Sequence, residues 1–268
     1  SASTQSLKGE DFYKGQAELY ELEKTTSPQR QCIEVYTVSK IIETLKDEDV
    51  MDLACGTGYY SRKIRAATSG KVYASDISED MIKFAKEKGG EIEYFQHDMA
   101  EPMEVGMKFD VVFAVFIYQY CRSKEMLDLF VRNTAGLLKP GGKIYAFNGF
   151  VPDHELLKDN VNLDVDSEEN KKKVFISTQP NFPPKEFDPF LFKYYVGGQV
   201  EEGKRLTLNY FTIFPETLKK SFEDNGFEDV TLAPMELDPN HDEKLHEYFS
   251  KLDMNKVTIR WSAVKKAS

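Results

Sequence analysis

The chain has 268 residues, 41% of them hydrophobic and 13% aromatic, proportions that exclude wholesale disorder. Acidic residues outnumber basic ones 45 to 35, for a net charge of −10, which argues against nucleic-acid phosphate or an anionic membrane as the main partner. Three scattered cysteines (Cys32, Cys55, Cys121) suit neither a disulfide framework nor a zinc site, no apolar run approaches the roughly 18–20 residues of a membrane span, and Ser1–Gly9 carries no signal-peptide core.

In chain order, residues 10–46 read as helical, with Ile33, Tyr36, Val38, Ile41, Ile42 and Leu45 near a 3.6 period and Ser27-Pro28 as a start signal. From Val50 strands and helices alternate. Val50–Ala54 is a short apolar strand ending in Gly56-Thr57-Gly58, followed by a helix from Tyr59 to Ala67. Lys71–Ser75 is strand-like and stops at Asp76; Ser78 caps a helix through Met81, Phe84 and Ala85 that Gly89-Gly90 closes. Ile92–Gln96 is a third strand stopping at His97-Asp98, and the nearly all-apolar Phe109–Phe116 suits a central strand covered on both faces. A helix from Ser123 to Leu138 is expected to stop at Lys139-Pro140-Gly141-Gly142, with Lys143–Phe147 as the fifth strand.

After Phe150 this rhythm breaks. Strand-like pieces at Lys173–Ser177, Leu191–Val196 and Arg205–Phe211 lie in a stretch rich in proline and aromatic residues. A structureless loop of that length would be unusual in a compact domain, so a small antiparallel cap is expected. A helix then opens at Pro215-Glu216 and closes at Gly226, and Val230–Ala233 and Val257–Val264 supply the last strands. The pattern predicts an α/β fold: a Rossmann-like, doubly wound, mostly parallel seven-stranded sheet with an inserted small antiparallel cap. The parts expected are an N-terminal helical lid (1–46), a core (47–150), a cap (151–214) and the remainder of the core sheet (215–268).

The glycine turn at 56–58 lets the backbone approach a ligand at the sheet's carboxyl edge. It is not a dinucleotide fingerprint, because Ser61 stands where a third glycine is expected. Asp52 at the end of the first strand disfavours a pyrophosphate and suits a ligand bearing an ammonium and a sulfonium. Asp76 ends the second strand, where it can accept hydrogen bonds from a ribose diol. Asp98 ends the third, where it can hold an adenine amino group with Met99 against the ring. Three acids ending successive strands define one side of a nucleoside pocket.

On these residues the chain resembles the class I S-adenosylmethionine-dependent methyltransferases of small-molecule type. DLACGTG at 52–58, VYASD at 72–76, QHDM at 96–99, FDVVFAVF at 109–116 and LLKPGGKI at 137–144 carry the resemblance, with Ala54 at the usual first glycine. It implies S-adenosylmethionine as cofactor, S-adenosylhomocysteine as product, and contacts from Asp52, Ala54, Gly56, Gly58, Asp76, Ile77, Asp98, Met99 and Val115. It also implies that Tyr13, Tyr20 and Arg30 reach over the methionyl carboxylate, and that Val115, Phe116 and Tyr118-Gln119-Tyr120 lie beneath the reacting methyl group.

For the acceptor, Tyr20, Tyr118 and His154 are the candidate catalytic groups, and Tyr13, Tyr118, Tyr195 and Tyr210 the candidate substrate contacts. The tyrosines near the expected mouth favour an aromatic cage for an amine or flat heterocycle. N-methylation is slightly favoured over O-methylation with a His or Tyr base, since a nitrogen acceptor needs only to be unprotonated. An NAD-dependent oxidoreductase and a non-catalytic scaffold subunit remain alternatives. A cytoplasmic monomer or homodimer acting on a small molecule is expected, with no metal, nucleic acid or membrane partner. Acidic residues crowd 215–253, eleven against four lysines, and the Glu236–Glu247 connection is expected to border the pocket mouth.

Overall fold

The computed structural model describes residues 16–149, 158–251 and 259–267. The chain opens with α1 (Ala17–Thr26), a π-helical turn (Arg30–Val35) and α2 (Tyr36–Ile42). The helical reading of 10–46 is therefore interrupted. Ser27 is extended at ψ 119°, because a residue before proline is pushed out of the helical region.

A seven-stranded sheet follows: β1 (Val50–Leu53), β2 (Val72–Asp76), β3 (Glu93–Gln96), β4 (Phe109–Val115), β5 (Leu138–Asn148), β9 (Phe227–Pro234) and β10 (Ile259–Lys265). Its order is β3-β2-β1-β4-β5-β10-β9. β1 to β5 run parallel, and β10 runs antiparallel to both β5 and β9. The helices α3 (Tyr59–Ala67), α4 (Glu79–Lys88), α5 (Lys124–Ala135) and α6 (Pro215–Asp224) connect the strands. Ser78 Oγ accepts from Met81 N and Ser123 Oγ from Met126 N, capping α4 and α5.

The fifth strand begins earlier than its sequence suggests. α5 ends at Ala135, and Leu138 already pairs with Phe109, while Val111 pairs with Lys143. Burial of Leu137 and Leu138 at 1% and 3% exposure draws the backbone into the sheet, and the prolyl-glycyl segment bulges out between the two points of register.

The cap is a separate three-stranded antiparallel sheet of β6 (Phe175–Thr178), β7 (Pro189–Tyr195) and β8 (Arg205–Phe211), in that order. A short helix, α7 (His246–Ser250), lies between β9 and β10. Among the described residues no helix is long and apolar enough to cross a membrane.

Two hydrophobic clusters cover the sheet. One joins Met51, Leu53, Val112 and Ala114 to α5, α6 and Trp261; the other joins Val50, Val111 and Phe113 to Ile33, Val38, Ile42 and Ile64. Phe222 of α6 is fully buried, with ring contacts to Tyr118 at 5.5 Å, Phe227 at 5.4 Å and Trp261 at 6.1 Å between centroids. Phe222→Ala should cost about 3–5 kcal/mol, read by urea unfolding; a loss below 1 kcal/mol would contradict this packing.

Candidate functional site

The strand order reverses direction between β1 and β4, and in open parallel sheets the crevice beyond the carboxyl ends at such a point receives ligands. Here the turn after β1 carries Ala54 at φ 53°, Gly56 at φ 53° and Gly58 at φ 80°. A Cβ on Gly58 would run into the Tyr94 hydroxyl. Alanine in this left-handed region costs about 1–2 kcal/mol, so Ala54 is small enough for the turn yet holds strain that a glycine would not.

Asp76 closes β2 with its carboxylate buried. Oδ2 accepts from Gly56 N and Oδ1 from Ser78 N, both at 2.9 Å. It thereby ties the glycine turn to the start of α4, and each oxygen keeps acceptor capacity toward the adjoining cavity. Burial raises its pKa, against those backbone hydrogen bonds. Asp98 Oδ1 accepts from Ala100 N at 2.9 Å, and Asn133 Nδ2 donates to Met99 O at 2.8 Å, which fixes the loop after β3.

These residues wall a cavity of about 120 Å³, whose lining includes Ala54, Gly56, Asp76, Ile77, Asp98, Met99 and Val115, together with Tyr20 of α1 and the apolar Met81, Met126 and Phe130. A second cavity, about 900 Å³, lies between α1 and the cap, with Tyr194, Tyr195, Phe192 and Tyr210 in its wall. Tyr20, Phe116 and Tyr120 line both. Strand β8 separates them: Asn209 and Phe211 face the first cavity and Leu208 and Tyr210 the second, as the two-residue period of a strand dictates. Phe116, at φ 61°, is held in a conformation unfavourable for a bulky residue where the two cavities meet.

Several residues that the sequence assigns to the site stand elsewhere. Asp52 lines neither cavity; 1% exposed, it accepts from Ser61 Oγ at 2.6 Å, and burial pushes its pKa up to about 7. It shares a strand face with Val50, so it points at α3 and away from the crevice. Gly58 shapes the turn without lining either cavity. Tyr118 is wholly buried, donates to Thr134 Oγ1 at 2.9 Å and packs on Phe222, so it is a core residue, whereas Tyr120 two positions on lines both cavities. Tyr195 lines the second cavity, its hydroxyl donating to Lys171 O at 2.9 Å, and Tyr210 is stacked on Phe190. Tyr13 and His154 lie outside the described residues.

Arg30 lines the second cavity but is engaged by Glu34, Nε to Oε2 at 2.9 Å. Lys24 joins the same carboxylate at 3.2 Å, and Tyr60 Oη donates to it at 2.9 Å. Burial alone would raise the Glu34 pKa; the two cations overcome that and hold it down at about 2. The i, i+4 spacing of Arg30 and Glu34 is a sequence signal for this pair that a functional reading of Arg30 passes over. Glu21 fastens α1 to the glycine turn by accepting from Thr57 Oγ1 and Arg62 Nη2. The acids of 236–247 line neither cavity: Glu236 pairs with Lys40 and Arg260, and only Leu245 of that connection, followed by Tyr248, reaches the second. Among the described residues no histidine lines the second cavity; His97 lines the first.

Residues 50–142 match the profile of a family described as "Methyltransferase domain". With the strand order and the motifs, this makes residues 50–142 similar in sequence and fold to a methyltransferase domain. The chain is 30% identical over 120 residues to the ubiquinone/menaquinone biosynthesis C-methyltransferase UbiE of Pseudoalteromonas translucida, covering 42% of this chain and 47% of that protein. It is 28% identical over 106 residues to a ubiquinone biosynthesis O-methyltransferase of Coxiella burnetii, covering 38% and 44%. The chain thus spans about half the length of the curated relatives it matches. Among solved structures, CalS10 of Micromonospora echinaspora, an amino pentose methyltransferase with S-adenosylmethionine bound, superposes with a TM-score of 0.58 over 93% of this chain and 96% of that one at 12% identity, a likeness of fold.

The buried Asp52 makes stability depend on pH. Its folded pKa is raised from 3.8 to about 7, so the stabilising state is the protonated one, fully populated below pH 4 and lost as pH rises through 7. The stability of Asp52→Asn relative to the parent chain should therefore rise by up to ~4 kcal/mol between pH 4 and pH 8, measured by urea unfolding; a difference that does not change with pH would contradict this assignment.

Proposed function

We propose that the chain transfers a methyl group from S-adenosylmethionine to a ring-bearing small molecule, with nitrogen as the favoured acceptor atom. The observation that carries this is the meeting of the two cavities at Tyr20, Phe116 and Tyr120, one walled by strand-end acids and the other by the rings of the cap. Asp76 offers two carboxylate oxygens for a ribose diol, Asp98 an acceptor for an adenine amino group, and Met81, Met99 and Ile77 an apolar slot for the base, so the residues present fit such a nucleoside. When bound, S-adenosylmethionine supplies an electrophilic methyl group on a sulfonium that departs as a neutral thioether.

The work left to the chain is alignment and exclusion of water. Tyr20, Phe116 and Tyr120 place aromatic rings where the cavities meet, a setting suited to a sulfonium, and the rings of β7 and β8 shield the acceptor side. Arg30 and Lys24 together exceed the charge of Glu34, which leaves positive potential beside Tyr20 for a methionyl carboxylate. A nitrogen acceptor suits the aromatic wall of the second cavity and needs only to be unprotonated. Oxygen acceptance is the second reading, favoured by the O-methyltransferase named among the relatives.

Calorimetry should detect binding of S-adenosylmethionine and S-adenosylhomocysteine, and Asp76→Ala should weaken both at least tenfold. Binding of neither by the parent chain would overturn the assignment, and unchanged affinity in the variant would overturn the ribose role.

A further inference from the structure

The second cavity is lined by one acid that stands outside every ion pair among the described residues. Glu23 of α1 lines it, and among the described residues no lysine, arginine or histidine nitrogen lies within ion-pair distance of its carboxylate. The neighbouring cations are engaged elsewhere, since Arg30 and Lys24 both close on Glu34. Burial raises the Glu23 pKa, and Arg30 and a hydrogen bond with Ser27 offset this only in part.

The same cavity carries many rings in its wall. Phe192 and Tyr194 are stacked at 5.0 Å between centroids, and Tyr20, Tyr195 and Tyr248 line it as well, together with Arg30, which is held by Glu34. Ring faces carry negative potential and attract a desolvated cation, and a partly dehydrated carboxylate does so more strongly. What complements this environment is an organic ammonium joined to a flat apolar body.

Its distance from the junction is set by the helix. Tyr20, which lines both cavities, stands three residues before Glu23, a spacing that puts their Cβ atoms about 5–6 Å apart on one helix face. A cation beside Glu23 is therefore roughly one ring's length from the place where the cavities meet, so it is a different atom from the one that receives the methyl group. We propose that Glu23 is the specificity-determining residue of the acceptor cavity, anchoring a cationic nitrogen of a ring-bearing amine whose methylated atom lies about one ring away. The identity of the neighbouring cofactor rests on the function proposed above; the preference for a cation does not.

The test is calorimetric, on the full chain at pH 7.5 with and without S-adenosylhomocysteine. The probes are tryptamine and phenethylamine against their neutral counterparts tryptophol and phenethyl alcohol. The amines should bind at least tenfold tighter than the alcohols. Glu23→Gln should remove that preference, Glu23→Asp should restore part of it, and all three proteins should unfold at similar temperatures and bind S-adenosylhomocysteine within twofold of one another. Equal binding of amines and alcohols, a preference that survives Glu23→Gln, or no binding of either probe class would overturn the proposal. Failure of S-adenosylhomocysteine to bind while the Glu23-dependent preference persists would overturn the cofactor assignment and leave this inference standing.

Discussion

Everything at this site depends on the reversal of strand order between β1 and β4. Two neighbouring parallel strands whose connections leave in opposite directions cannot both be covered at their carboxyl ends, and the exposed peptide groups must be satisfied by turns and side chains. Asp76 does this for the first turn, accepting from Gly56 N and Ser78 N at once. A single buried carboxylate thereby holds the turn open, starts α4 and still faces the cavity. The strain at Ala54 and Phe116 sits on the two strands that flank this reversal, where the backbone is bent to leave room.

The second layer of organisation is electrostatic. Glu34 gathers Lys24, Arg30 and the Tyr60 hydroxyl into one buried cluster. Removing either cation would leave a desolvated carboxylate short of a partner, which is costly in a low-dielectric setting. The cluster packs the π-helical turn against α3 and leaves Glu23 outside it, with the cap rings opposite. That Glu23 stands outside an ion pair is thus a consequence of how the neighbouring charges have been paired.

Much of the fold was readable in the sequence because parallel strands announce themselves as apolar runs ending in Gly or Asp. The strand-end acids Asp76 and Asp98 were readable for the same reason. Asp52 was misdirected because its position at a strand end is visible in a motif, whereas its face is set by parity with Val50. Tyr118 and Tyr120 could not be told apart, since a three-residue turn has no periodicity to say which ring enters the core. The cap was legible as strands but not as a cavity wall: the division of β8 into Asn209 and Phe211 on one side, Leu208 and Tyr210 on the other, depends on pairings between distant segments. Arg30 carried its own warning in Glu34 four residues on.

Helix α1 is a wall common to two chambers. Tyr20 belongs to both, Glu23 to the second, and Glu21 fastens the same helix to Thr57 and Arg62 beside the glycine turn. Ser27 and Pro28 interrupt the helical path at its far end, so α1 is a short separate piece held at the glycine turn by Glu21. A displacement of this one helix would alter both chambers at once, because each counts it among its walls.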